Sequence, residues 1–181
     1  MFESGLADSQ RNRAVRHLAA AWEQLAALEP TEFSGDELLD LLDRLEADTG
    51  RRTAVASRLI AELHARGTAS EAGLPSTAVL LSERRRIGRR EAAGRIRLAA
   101  DLAPRQAMSG EQLEPRFPQV AAALADGKIS PRHAAIICAS VDRLPDRVVA
   151  DQPELVAQVE PTLLEHAGRW TQIGSPWQPA G

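Results

Sequence analysis

The chain has 181 residues, with 22 Lys+Arg against 25 Asp+Glu for a net charge of -3, aromatics at 3%, no tyrosine and one cysteine. That composition excludes an internal disulfide framework and a cysteine-pair zinc site, and it fits a reducing compartment, so a cytoplasmic location is expected. No apolar run approaches the roughly 20 residues of a bilayer span, and the N-terminal MFESGLADSQRNR lacks the apolar core of a signal peptide.

Alanine and leucine dominate and β-branched residues never form a run, so local preference favours helix over strand. The expected fold is all-α: one multi-helix domain over residues 1–170 and a disordered tail over 171–181, where periodicity stops. From Asp8 to Leu28, Val15, Leu18, Trp22 and Leu25 recur at helical spacing, and Glu29-Pro30 closes that helix. Ser34 followed by Glu37 forms a capping box that opens a long helix near 35–66. Its seam is Leu38, Leu41, Leu42, Leu45, Val55, Leu59 and Leu63, and Gly67 stops it. Gly50 costs about 1 kcal/mol against alanine there, which implies an exposed kink or a division of the helix; we read continuity.

Two successive helix-turn-helix-like units are expected next. After a loop over 67–75, Ser76 caps a short helix ending at Leu81 or Ser82, Arg84 to Gly88 form the turn, and Arg89 to Leu102 form the second helix. After a loop over 104–115, Pro118 starts a helix carrying Val120 and Leu124, which stops at Asp126-Gly127. Ser130-Pro131 then starts a helix whose buried stripe is Ala134, Ile137, Cys138 and Val141, and Leu144-Pro145 ends it. The last helical region, 146–170, is interrupted at Pro153 and at Pro161, the latter implying a kink or a new start. Trp22, Phe117 and Trp170 read as core or seam anchors.

Seven arginines lie between Arg84 and Arg97 against one acid, Glu91. Arg84, Arg85, Arg86, Arg89 and Arg90 are the candidate nucleic-acid-binding residues: at a turn and helix start, phosphates would meet guanidinium groups and the positive end of a helix dipole. The competing reading is a solvated turn whose arginines lie over apolar neighbours. On a helical wheel Ala92, Ile96, Ala99 and Ala103 share the core face, with Arg90 and Arg97 on one flank and Arg95 on the other, so no continuous reading stripe forms. With no asparagine or glutamine at reading positions, contact is expected with the backbone of DNA and not with its bases.

No catalytic, metal or cofactor site is expected. His17, His64, His133 and His166 fall in four separate helices. A hydrolase set of Ser130, His133 and Asp142 is disfavoured, because Ser130 is accounted for by capping and His133 sits one turn into the same helix. Cys138 is accounted for by the apolar stripe, and Glu165-His166 by a helix surface.

The stretches LADGKISPRHAAIICASVDRLP (124–145) and VEPTLLEHA (159–167), with the arginine run leading into AGRIRLAADLAPR, resemble the actinobacterial 13E12 repeat family. The likeness is to its N-terminal helical domain, of unknown function and often followed by an HNH endonuclease domain, and covers about residues 35–168. In longer relatives the nuclease motif lies beyond the counterpart of LLEHA, so no HNH site, and no enzyme activity, is expected here. The resemblance implies an accessory domain that contacts nucleic-acid phosphates or positions a nuclease-domain partner. The alternatives are a protein-interaction module, a homodimer burying the leucine seam of the 35–66 helix, or a truncated remnant. No membrane or small-molecule partner is expected.

Overall fold

The computed structural model describes residues 2–107 and 109–173, which are overwhelmingly helical, so the fold is all-α as expected. In chain order the elements are α1 (Phe2–Ala26), a single 3-10 turn (Pro30–Glu32), α2 (Gly35–Ala65), α3 (Thr68–Glu71), α4 (Thr77–Arg85) and α5 (Arg89–Leu102). A two-stranded hairpin, β1 (Arg105–Gln106) and β2 (Gln112–Leu113), precedes α6 (Pro118–Ala125), α7 (Pro131–Asp142), α8 (Asp146–Asp151) and α9 (Pro153–Ile173). The chain divides into two compact units, Met1–Leu42 and Asp43–Gly181, the division falling inside α2.

In the first unit the capping box forms as its chemistry dictates. The Ser34 amide donates to Glu37 Oε2 at 2.8 Å and the Glu37 amide donates to Ser34 Oγ at 3.3 Å. The bond from the Ser34 amide, and then a second from the Ser34 hydroxyl to the same Glu37 Oε2 at 2.8 Å, hold the Glu37 carboxyl below the usual carboxylate range. The α1 stripe does not become a core: Val15, Leu18 and Trp22 are 61%, 57% and 46% exposed, so of the two roles expected of Trp22, core or seam anchor, the core one is not seen. None of the described side chains from residue 10 to 42 is buried.

In the second unit α2 runs unbroken through Gly50, and the reason is close approach, not flexibility. Gly50 is buried, and a Cβ placed on it would lie 3.0 Å from the Ile129 carbonyl oxygen and 3.1 Å from that of Leu124. The turn after α6 presses back equally: Gly127 sits at φ +74°, and a Cβ there would lie 2.7 Å from the Ala47 carbonyl oxygen. Arg51 adds a hydrogen bond from its guanidinium to the Asp126 carbonyl at 3.1 Å. Because contact is made through backbone, the inward face of α2 is its small one, with Gly50, Ser57 and Ile60 buried and Ala54 packed against the core. Val55 and Leu59, expected in the seam, are 56% and 60% exposed.

The main core gathers Leu102, Phe117, Val120, Leu124, Ile129, Ala134, Ile137, Cys138 and Ala167, and a smaller one gathers Ile60, Leu81, Ala92 and Ala99. Phe117, at 4% exposure, is the anchor the sequence suggested; the Trp170 side chain lies outside the described ones. Helix α6 has no side-chain cap of its own, and Glu160 of α9 supplies one from a distance, accepting from the Val120 amide at 2.8 Å. Arg116 ties α5 to α7 through Asp101 Oδ1 at 3.2 Å and Asp142 Oδ1 at 2.6 Å. Burial pushes the Asp101 carboxyl up from its usual range, against the pull of that guanidinium.

Four boundaries differ from expectation. The 67–75 loop contains the single turn α3, and the 104–115 loop is closed by the hairpin, which pairs Arg105 with Leu113 and Gln106 with Gln112. Helix α4 reaches Arg85, further than Ser82. Helix α9 starts at Pro153, as the interruption expected there requires, whereas Pro161 is not a second start but internal to a helix continuing to Ile173. Contacts on both sides of Pro161 hold that helix together: Glu160 bonds α6, and Leu163, Leu164 and Ala167 pack in the main core. Residues 171–173 of the expected tail are thus helical, and 174–181 lie outside the described residues.

Candidate nucleic-acid interface

The arginine cluster is built by the joint between α4 and α5. Ser76 caps α4, accepting from the Val79 amide at 3.3 Å, and Leu81 buries the inward face of the helix. The exit is locked by two bonds between the same residues: Ile87 N–H donates to the Ser82 carbonyl at 3.1 Å, and Ser82 Oγ donates to the Ile87 carbonyl at 2.7 Å. Ile87 packs against the smaller core, and Gly88 becomes the N-cap of α5. Only residues 86–88 separate the two helices, so five arginines are gathered at one corner.

Arg84 and Arg85 belong to the last turn of α4 and not to the turn itself, which corrects the sequence reading. There they offset the carbonyl end of the helix dipole. Arg89 and Arg90 open α5, whose N-cap, Gly88, provides no side-chain bond to the first amides of that helix. Arg86 adopts φ +54°, the one positive-φ residue other than glycine among the described residues. That is the position after a helix where glycine is ordinarily found, because a Cβ costs about 1–2 kcal/mol in the left-handed region. All five side chains are exposed, and among the described residues none makes a hydrogen bond or ion pair.

Beyond the first turn the charge is spent differently. Arg95 pairs with Glu91 at 2.6 Å, one helical turn away. Ala92, Ala99 and Ala103 are buried at 0%, 1% and 2%, the core face the helical wheel assigned, and Arg97 is exposed. The corner therefore offers uncompensated guanidinium groups around an uncapped helix start, a geometry suited to phosphate oxygens.

The other candidates are occupied structurally. Ser130 Oγ accepts from the His133 amide at 3.2 Å, and Asp142 is held by Arg116, so Ser130 and Asp142 serve separate ends of α7 and form no hydrolase set. His64 Nδ1 lies 3.0 Å from Thr77 Oγ1, joining α2 to the start of α4. His133 Nδ1 is buried without a partner among the described residues, beside an apolar cavity of about 400 Å³ that includes Ile136 and Leu163. A larger groove of about 960 Å³ lies between the second half of α2, α5 and the hairpin, with Val55, Leu59 and Ile96 among its lining residues. No group of three His, Cys, Asp or Glu placed to hold a metal occurs among the described residues.

Cys138 is 3% exposed, and burial, reinforced by the nearby Asp101, Asp142 and Glu160 carboxylates, pushes its thiol up to about 12. A thiol reagent at pH 8 should therefore modify it only after unfolding, read by comparing native and urea-treated protein. Because the fold favours the protonated thiol, stability should be unaffected by this group below its ordinary value of 9.0 and should fall as pH rises from there to about 12. Rapid native-state modification at pH 8 would contradict the burial that places Cys138 in the core.

Residues 39–174 match the model of a family described as "Domain of unknown function (DUF222)". Among curated proteins the chain is similar to the uncharacterized protein Rv3466 of Mycobacterium tuberculosis, 35% identical over 135 residues, covering 73% of this chain and 60% of that protein. It is also similar to the uncharacterized protein Rv1128c of the same organism, 34% identical over 75% of this chain and 30% of the relative. A third, the uncharacterized protein Mb1614c of Mycobacterium bovis, is 39% identical over 56% of this chain and 45% of the relative. The chain thus spans less than two thirds of the length of each of these relatives. No solved structure matches, and no helix among the described residues is long and apolar enough to cross a membrane.

Proposed function

This chain belongs to the DUF222 family, and from that premise we propose that it is a non-catalytic helical accessory domain that binds nucleic-acid phosphates at the α4–α5 corner. Arg84, Arg85, Arg86, Arg89 and Arg90 are the contact residues. In this reading the domain acts beside an HNH-type nuclease domain, as the resemblance to 13E12 repeat proteins implies, and it works in the cytoplasm.

One observation carries the reading: Arg86. The dipole of α4 accounts for Arg84 and Arg85, but nothing in the fold accounts for an exposed, unpaired arginine in a left-handed position that glycine fills at lower cost. Strain of this kind is retained where a side chain is needed for something other than folding. The uncapped start of α5 and the missing counter-charges support the same ligand, a phosphate oxygen. The absence of a continuous arginine stripe along α5 favours backbone over base contact.

The test is a salt titration of binding to a duplex DNA of arbitrary sequence. If all five arginines meet phosphates, log K should fall against log salt with a slope of about -4 to -5, at roughly 0.9 per contact, and should differ little between sequences. Absent binding at low ionic strength, or binding indifferent to salt, would overturn the proposal.

A further inference from the structure

After proline, glycine is the least favourable residue in a helix interior, and one use that offsets its cost is to let something come close to the backbone. Gly50 meets that need inside the fold, with the Ile129 carbonyl oxygen 3.0 Å from where its Cβ would lie. Gly94, in the middle of α5, does not. Apart from its own helix backbone, nothing among the described residues of the second unit lies within 4 Å of its Cβ position. The packing of the fold has no use for the missing side chain.

Its place around the helix shows what does. At about 100° per residue, Arg90, Gly94 and Arg97 fall within an arc of about 60°, on the side away from Ala92, Ile96, Ala99 and Ala103. Arg90 and Arg97 stand about 10.5 Å apart along the axis, at ~1.5 Å per residue, with the bare backbone of Gly94 between them. Both arginines are exposed, and neither makes a hydrogen bond or ion pair among the described residues. The nearby acids are engaged elsewhere: Glu91 pairs with Arg95 at 2.6 Å, and Asp101, next along this side, is held by Arg116 at 3.2 Å.

We propose that the nucleic-acid strand bound at the α4–α5 corner continues across this side of α5, its backbone seated on Gly94 and its next phosphate held by Arg97. The inference rests on the phosphate reading of the corner and adds the direction in which the strand leaves it. A glycine flanked by two unpaired guanidinium groups forms a saddle. The sugar-phosphate chain lies in the dip, and the arginines reach its phosphates from either side. A long side chain at position 94 holds the strand away from both.

Gly94→Leu separates the needs of the helix from those of the ligand, read by salt titration of duplex DNA binding to the full chain. Leucine favours the helix, so the urea midpoint should rise. Affinity at low salt should fall on the order of 10-fold, and the salt slope should flatten by about 2, roughly one for each arginine the strand no longer reaches. Gly94→Ala should gain the stability with a smaller loss of affinity, and Arg97→Gln should flatten the slope by about 1. Ala100→Leu, on the same helix but exposed toward the larger groove, should bind like the wild type. A wild type that binds no DNA removes the corner reading and this inference together. If the wild type binds, three results leave the corner standing and overturn the path across α5: a Gly94→Leu variant equal to it in affinity and slope, an Arg97→Gln variant with the full slope, or an Ala100→Leu loss as large as that of Gly94→Leu.

Discussion

Gly127→Val should cost the second unit about 3–5 kcal/mol, enough to unfold a domain of ordinary stability. Two separate penalties meet at this residue. Its φ of +74° costs a side chain about 1–2 kcal/mol. The Cβ would then lie 2.7 Å from the carbonyl oxygen and 2.9 Å from the Cβ of Ala47, and a carbonyl inside α2 cannot move without breaking the helix ladder. Gly110 separates the two effects. It sits at φ +87° with nothing within 4 Å of where a Cβ would lie, so Gly110→Ala should show the backbone penalty alone. Urea midpoints of the two variants measure the difference; equal losses would mean that the approach of α2 to the 127–129 turn carries no stability.

Arg85→Glu with Arg89→Glu should weaken binding to duplex DNA about 100-fold at low salt and flatten the salt slope by about 2, while leaving the fold intact. Each reversal removes one guanidinium from the phosphate path and places a carboxylate there. Stability should fall by no more than about 1 kcal/mol, the helix-dipole contribution of Arg85 at the end of α4. Neither residue makes an ion pair among the described residues, and both are exposed. A matched reversal of Arg58 and Arg105, which lie at the larger groove and away from the corner, serves as the charge control. If it weakens binding and flattens the slope as much as the double variant, the corner has no special role.

How much of this was legible in the sequence depends on what kind of interaction fixes each element. Caps and first-turn prolines act within a few residues, so Ser34, Ser76, Ser130, Pro118 and Pro131 marked their helices correctly. Periodicity placed Ala92, Ala99, Ala134, Ile137 and Cys138 inside. The face of α2 was misplaced because leucine content is a local signal, whereas the inward face is set by Ile129 and Leu124 carbonyls some 75 residues away along the chain. Gly50 showed in sequence only as a cost; its use, to admit another backbone, is visible only once the 127–129 turn is in place. The same holds for Glu160, whose carboxylate caps α6 across forty residues, and for Arg116 between Asp101 and Asp142.

At the candidate site, the sequence located the five arginines but not the backbone that presents them. Ending the Ser76-capped helix at Leu81 or Ser82 put Arg84 and Arg85 in the turn, whereas α4 extends through both. The left-handed Arg86 carried no sequence signal, since arginine has no preference for that conformation. In the proposed reading it is this residue that separates a helix terminus balancing its own dipole from a corner that meets an anion.

Arg86→Gly therefore tests the proposal of a phosphate-binding corner most directly, through stability and DNA affinity measured on the same preparation. Glycine relieves the left-handed backbone, so the urea midpoint should rise by an amount worth roughly 0.5–1 kcal/mol, while affinity for duplex DNA falls and its salt slope shrinks by about 1. A variant that gains stability and keeps full, equally salt-dependent affinity would contradict the assignment of Arg86 to phosphate.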